Sequence, residues 1–113
     1  MTNTEIIQTI EKRFEAYEAV QHLHLDHLKT QDMPDIKTMT QERQDKFDKL
    51  KIELDQFVSN AGTVKGLDSL AILQKFEKRL NSILHIDDKI AFEIKKHRDV
   101  LKNSLKNLKQ GKT

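Results

Sequence analysis

The sequence predicts an all-α fold: an elongated antiparallel three-helix bundle, coiled-coil-like in its patterning, with a long C-terminal helix. Three observations carry this. Apolar residues recur at alternating spacings of three and four along most of the chain, which is the signature of helices buried along one stripe. One Pro and three Gly in 113 residues leave too few turn signals for a set of strands. A charged fraction of 34% beside 36% apolar residues suits a thin, extended core, and residues 1–113 read as a single helical domain.

The first helix is expected over residues 3–30. Thr2, Asn3 or Thr4 can cap it, and Glu5 lies in the first turn, where the helix dipole favours an anion. Its seam runs Ile7, Ile10, Phe14, Tyr17, Val20 or Gln21, His24 and Leu28. Gln21 and His24 weaken that seam, while Val20, Leu23 and Leu25 widen the apolar face in the same turn, as contact with two neighbours requires. The run Thr30-Gln31-Asp32-Met33-Pro34-Asp35 then breaks the helix, because Pro34 drives Met33 out of the helical region and itself fits a first helical position. So short a break reverses the chain into an antiparallel hairpin.

The second helix is expected over 34–58, with Ile36, Met39, Arg43, Phe47, Leu50, Leu54 and Phe57 on one stripe. Arg43 interrupts it. Its stem can pack on the seam while the guanidinium reaches solvent or a facing carboxylate; the alternative is an anion contact for a partner. Residues 59–66, with Gly62, Gly66 and Asn60, form the one connection with the composition of a mobile loop.

The third helix, over 67–110 and capped by Asp68 or Ser69, is the element that organises the chain. Its seam is Leu73, Phe76, Leu80, Ile83, Ile90, Ile94, Leu101 and Leu108, with no Pro or Gly inside. Asp87, His97 and Ser104 fall where apolar residues are expected, so a kink or break near Ile86, Asp87 and Asp88 stays open. Roughly 65 Å of helix against hairpin helices of about 40 Å leaves on the order of 25 Å uncovered. The C-terminal half of the long helix is therefore the expected partner surface, centred on Ile90, Ile94, Leu101, Leu105 and Leu108 with His97 among them, and its natural complement is a partner's amphipathic helix.

Composition excludes several chemistries. There is no Cys, hence no disulfide, thiolate nucleophile or cysteine-held zinc, as in a reducing compartment. No apolar run is long enough to enter a membrane as a spanning helix, and the polar, acidic first residues differ from a signal peptide, so a cytoplasmic location is expected. The formal charge of +2 hides an asymmetry: residues 95–113 carry seven Lys or Arg against a single Asp. Lys96, Lys102, Lys106 and Lys109 do not share one face and have no aromatic residue among them to stack bases, so the basic tail reads as a solvated helix end and not as a nucleic-acid site. No glycine-rich phosphate loop or G-x-S-x-G elbow occurs, and no catalytic residue or cofactor is expected.

His22-Leu23-His24-Leu25-Asp26-His27 spells H-x-H-x-D-H, the metal-binding string of the metallo-β-lactamase superfamily. In that superfamily it lies on a loop of a sheet-rich fold. Here it lies within a helical periodicity, where His22 and His24 point about 200° apart and cannot converge on one ion. A di-iron helical site needs paired ligands one turn apart, and His85 and His97 are followed four residues later by Lys89 and Leu101. No metal site is expected.

Two segments carry a resemblance. Asp88-Lys89-Ile90 through Ile94-Lys95-Lys96-His97-Arg98-Asp99-Val100-Leu101, followed by Leu105-Lys106-Asn107-Leu108-Lys109-Gln110-Gly111-Lys112, resembles the C-terminal region of FlgN-type flagellar export chaperones and the FliT group. Thr40-Gln41-Glu42-Arg43 with Phe47 and Leu50 looks like the charged stretch before the leucine-rich turn of that family. The resemblance spans most of the chain in helix order and length, although this chain stops at Thr113 where many relatives continue toward a terminal aromatic. It implies a cytoplasmic chaperone that binds the C-terminal helices of hook-associated or cap proteins, prevents their premature assembly and delivers them to the type III export apparatus. The alternative is a structural coiled-coil adaptor that pairs its exposed stripe with a second copy as a homodimer.

Overall fold

A computed structural model describes residues 3–60 and 69–110, and its described residues form three helices with no strand among them: α1 (Asn3–Thr30), α2 (Ile36–Asn60) and α3 (Ser69–Gln110). The molecule is a rod of 74 × 21 × 20 Å. The connection expected at 59–66 lies outside the described residues from 61 onward, as do Thr2 and the proposed cap Asp68. α3 runs unbroken for 42 residues, so the break into two helices considered near Asp87 does not occur.

The first reversal is built by short-range chemistry. Gln31 N–H donates to the His27 carbonyl at 2.9 Å, prolonging the last turn of α1 by one bond. The cap of α2 is Asp35, one residue past the Pro34 start expected from the sequence: its carboxylate accepts from Thr38 N–H at 3.1 Å and Thr38 Oγ1 at 2.8 Å. These two bonds hold the Asp35 carboxyl below the usual carboxylate range.

The centre of the bundle is α1, not α3. α1 makes the close backbone approaches to both α2 and α3, while α2 and α3 approach each other only sparsely. Gln21 and His24, not the widening residues, are what α1 buries at its mid-turn, and Leu23 is exposed. An α-helix tiles its surface at 3.6 residues per turn, so two neighbours on one helix demand a face wider than a coiled-coil seam.

The core has two apolar clusters. The larger joins Ile10, Phe14, Tyr17, Leu50, Phe57, Phe76 and Ile83. Phe76 sits between Phe14 (5.8 Å, stacked) and Phe57 (5.7 Å, edge-on), so three helices meet through one aromatic relay. The Arg79 guanidinium lies 5.2 Å from the Phe14 centroid while holding both Glu18 carboxylate oxygens, at 2.9 and 3.2 Å. The smaller cluster joins Leu28, Met39, Ile90 and Ile94.

Candidate functional site

Between the two clusters lies a polar layer drawn from all three helices. Asp87 of α3 accepts from Tyr17 Oη at 2.7 Å on one oxygen and from Gln21 Nε2 at 2.8 Å on the other, and Arg43 Nε stands 4.0 Å from the oxygen that Gln21 reaches. Gln21 Nε2 also donates to the Ile83 carbonyl at 2.7 Å. His24, almost fully buried, bridges onward: Arg43 Nη1 lies 3.0 Å from its Nδ1 and Glu42 Oε2 lies 3.2 Å from its Nε2. Since a guanidinium can only donate, Nδ1 is the acceptor and the neutral ring carries its proton on Nε2, donated to Glu42. Burial is the main cause that pushes His24 below its ordinary value; the Glu42 hydrogen bond opposes that, and the Arg43 charge adds to it. Burial, then the hydrogen bond to Asp87, raises the Tyr17 phenol, which stays protonated as a donor. Arg43 thus takes the facing-carboxylate alternative.

Because α2 and α3 both lean on α1 and little on each other, a furrow runs between them. Its upper part, about 470 Å³, is apolar: Phe47, Leu54 and Val58 face Leu73, Phe76 and Leu80, with Lys51, Asp55 and Glu77 on the rim. Its lower part, also about 470 Å³, is floored by Tyr17 and Asp87 and walled by Arg43, Gln44, Leu84 and Arg98. Phe47 borders both parts, and laid end to end they span about 37 Å on the α3 side from Leu73 to Arg98, together the groove between α2 and α3. The α3 wall steps by four and three: Leu73, Glu77, Leu80, Leu84, Asp87, Ala91, Ile94, Arg98. Continued past Arg98, the same steps reach Leu101, Leu105 and Leu108, all exposed, the last two at 52% and 75%. The exposed leucines of the tail extend the groove wall.

The residues expected to bind a partner therefore divide. Ile90 is 1% exposed and Ile94 9%, both packed with Leu28 and Met39, and of the two only Ile94 lines the groove. His97 Nε2 donates to the Leu28 carbonyl at 2.6 Å, satisfying an acceptor left open in the last turn of α1. These three residues belong to the folded core. The physical reason is that α1 reaches α3 as far as His97 and the turn after it, with Met33, Pro34 and Ile36, stands beside Arg98, Leu101 and Ser104, so the uncovered tail is shorter than the roughly 25 Å expected. Leu101, Leu105 and Leu108 remain on the open surface. The groove itself was missed, because the sequence shows which stripe of each helix is apolar and not which pair of helices stands apart. A signal was present: Leu84, at 45% exposure, is apolar yet lies off the α3 seam.

Among the described residues, no three His, Asp or Glu side chains come together to hold a metal ion. His24 is spent between Arg43 and Glu42, while His22 is exposed. Overnight dialysis against a mild chelator is accordingly expected to leave the melting temperature unchanged, with no stoichiometric zinc in the protein by elemental analysis. Tightly held zinc whose removal lowers the melting temperature would contradict this. None of the described helices is long and apolar enough to cross a membrane. Comparison with protein-family models, curated proteins and solved structures gives no match to this chain.

Proposed function

We propose that this protein is a non-catalytic helix-binding protein that takes a partner's amphipathic helix into the groove between α2 and α3 and along the tail of α3. One observation carries the reading: two adjoining hollows of combined helix length, largely apolar, whose α3 wall runs on into exposed leucines. A helix laid there completes a four-helix arrangement and removes from water side chains that the three-helix fold leaves half-covered. Each leucine-sized side chain newly buried contributes up to about 1.5–3 kcal/mol before ordering costs. The groups of the polar layer are engaged with one another, which supports a binding role over acid–base chemistry.

The resemblance to FlgN-type and FliT-group chaperones gives this a biological form. In it the chain acts in the cytoplasm, holds the C-terminal helix of a hook-associated or cap protein unassembled, and passes it to the type III export apparatus. The test uses Leu84→Asp with Leu105→Asp, one from the groove wall and one from the tail. Both side chains are about half exposed, so the variant is expected to keep its helix content and melting temperature within a few degrees. Capture of synthetic C-terminal helices of such export substrates, measured by calorimetry, is expected to fall at least about tenfold, the effect of some 1.4 kcal/mol. Undiminished capture by the folded variant would refute the proposed surface.

A further inference from the structure

The groove is not uniform. Apolar residues wall its upper part, and leucines line the tail below it, but the middle holds two guanidinium groups, Arg43 and Arg98, against one carboxylate, Asp87. Both Asp87 oxygens already accept hydrogen bonds, one from Tyr17 and the other from Gln21, and Arg43 stands beside the latter oxygen. Arg43 in turn spends Nη1 on His24. Arg98 is exposed and forms no ion pair among the described residues. A helix laid along the groove passes over this point. It takes water from Arg98 and covers the open edge of Arg43, and a purely apolar helix would leave a cation without an acceptor there.

We propose, resting on the helix-binding reading, that the partner helix carries a single carboxylate in an otherwise apolar stripe, seated at Arg98 beside Arg43, and that this pairing fixes its register. Apolar contact alone specifies register poorly along a heptad surface, since sliding by seven residues restores most of the packing. One charged position in the stripe removes that degeneracy: any slip buries Arg98 against an aliphatic side chain and the carboxylate against leucine. A second copy of this chain fits worse. Its apolar tail is flanked by Lys95, Lys96, Lys102 and Lys106, which would bring further cations to the same place.

The probes are synthetic amphipathic helices of roughly 28 residues, long enough to span the groove. They are identical except for Glu, Gln or Lys at one central stripe position, and a fourth peptide moves the Glu to its outer face at unchanged net charge. Titrated by fluorescence anisotropy, the stripe-Glu peptide is expected to bind about tenfold more tightly than the stripe-Lys peptide, and the outer-Glu peptide to lose that advantage. Arg98→Glu, at an exposed position with no ion pair among the described residues, is expected to invert the Glu and Lys order. Equal affinities for Glu and Lys, an outer Glu as good as a stripe Glu, or an order unmoved by Arg98→Glu would each overturn the register pairing while leaving helix binding in place. Failure of all four peptides to bind would overturn the underlying reading. A stable dimer by sedimentation at low micromolar concentration, dissociated by Leu84→Asp, would show that the occupant is a second copy and overturn the proposal.

Discussion

Ile90→Asp is expected to abolish the folded bundle, whereas Leu105→Asp fifteen residues further along the same helix is expected to leave it intact. Ile90 is 1% exposed and packs with Leu28 and Met39 where α1 ends and α2 begins. Losing that side chain alone costs about 2–5 kcal/mol, and an unpaired carboxylate in its place adds several more. A small domain has a total stability of only about 5–15 kcal/mol, and a rod three helices thick sits low in that range because it buries little surface per residue. Leu105 makes no such contacts and is half exposed, so its change falls within about 0.5 kcal/mol. Circular dichroism during urea titration distinguishes the two variants directly. If Ile90→Asp keeps a cooperative transition near that of the unaltered protein, the smaller cluster is not core and the partner surface extends back to Ile90.

That contrast also marks how far the sequence could be read. The seams of α1 and α2 were legible almost residue by residue, from Ile10 and Phe14 through Leu50 and Phe57, because a buried stripe imposes its period on residue type whatever lies opposite. The order of packing was not. Both hairpin helices can cover a third, and only side-chain volumes at the contacts decide which pair draws together; here α1 takes the centre and α2 and α3 stand apart. The burial of Ile90 and Ile94 and the His97 contact with Leu28 escape a sequence reading for the same reason, since helix lengths give the size of an overhang and not where α1 stops. The polar residues at seam positions, Gln21, His24, Arg43 and Asp87, read singly as defects. They are intelligible only together, because each satisfies another across helices far apart in sequence.

Asp87→Ala is expected to destabilise the bundle by about 3 kcal/mol, since it strips Tyr17 Oη and Gln21 Nε2 of an acceptor and Arg43 of its counter-charge in one step. The layer has little slack to absorb this, as Gln21 Oε1 is already buried without a partner. Replacing Asp87 and Arg43 together by Leu is expected to cost clearly less than the sum of the single changes, because the pair then leaves no stranded charge. The same layer gives stability a dependence on pH. His24 is held neutral, its folded value lowered by burial with the Arg43 charge adding to the effect, so between that value and about 6.5 the unfolded chain binds more protons than the folded one. Its contribution is therefore complete above about pH 6.5 and is lost as pH falls toward the folded value, at no more than about 1.4 kcal/mol per pH unit. Protonation places an N–H where Nδ1 now accepts from Arg43, which loosens Arg43 and with it the wall of the groove. His24→Gln has no proton to gain, and its urea midpoint is expected to be flatter than that of the unaltered protein between pH 7 and 5.5. Parallel profiles over that interval would mean that His24 is not the group that titrates.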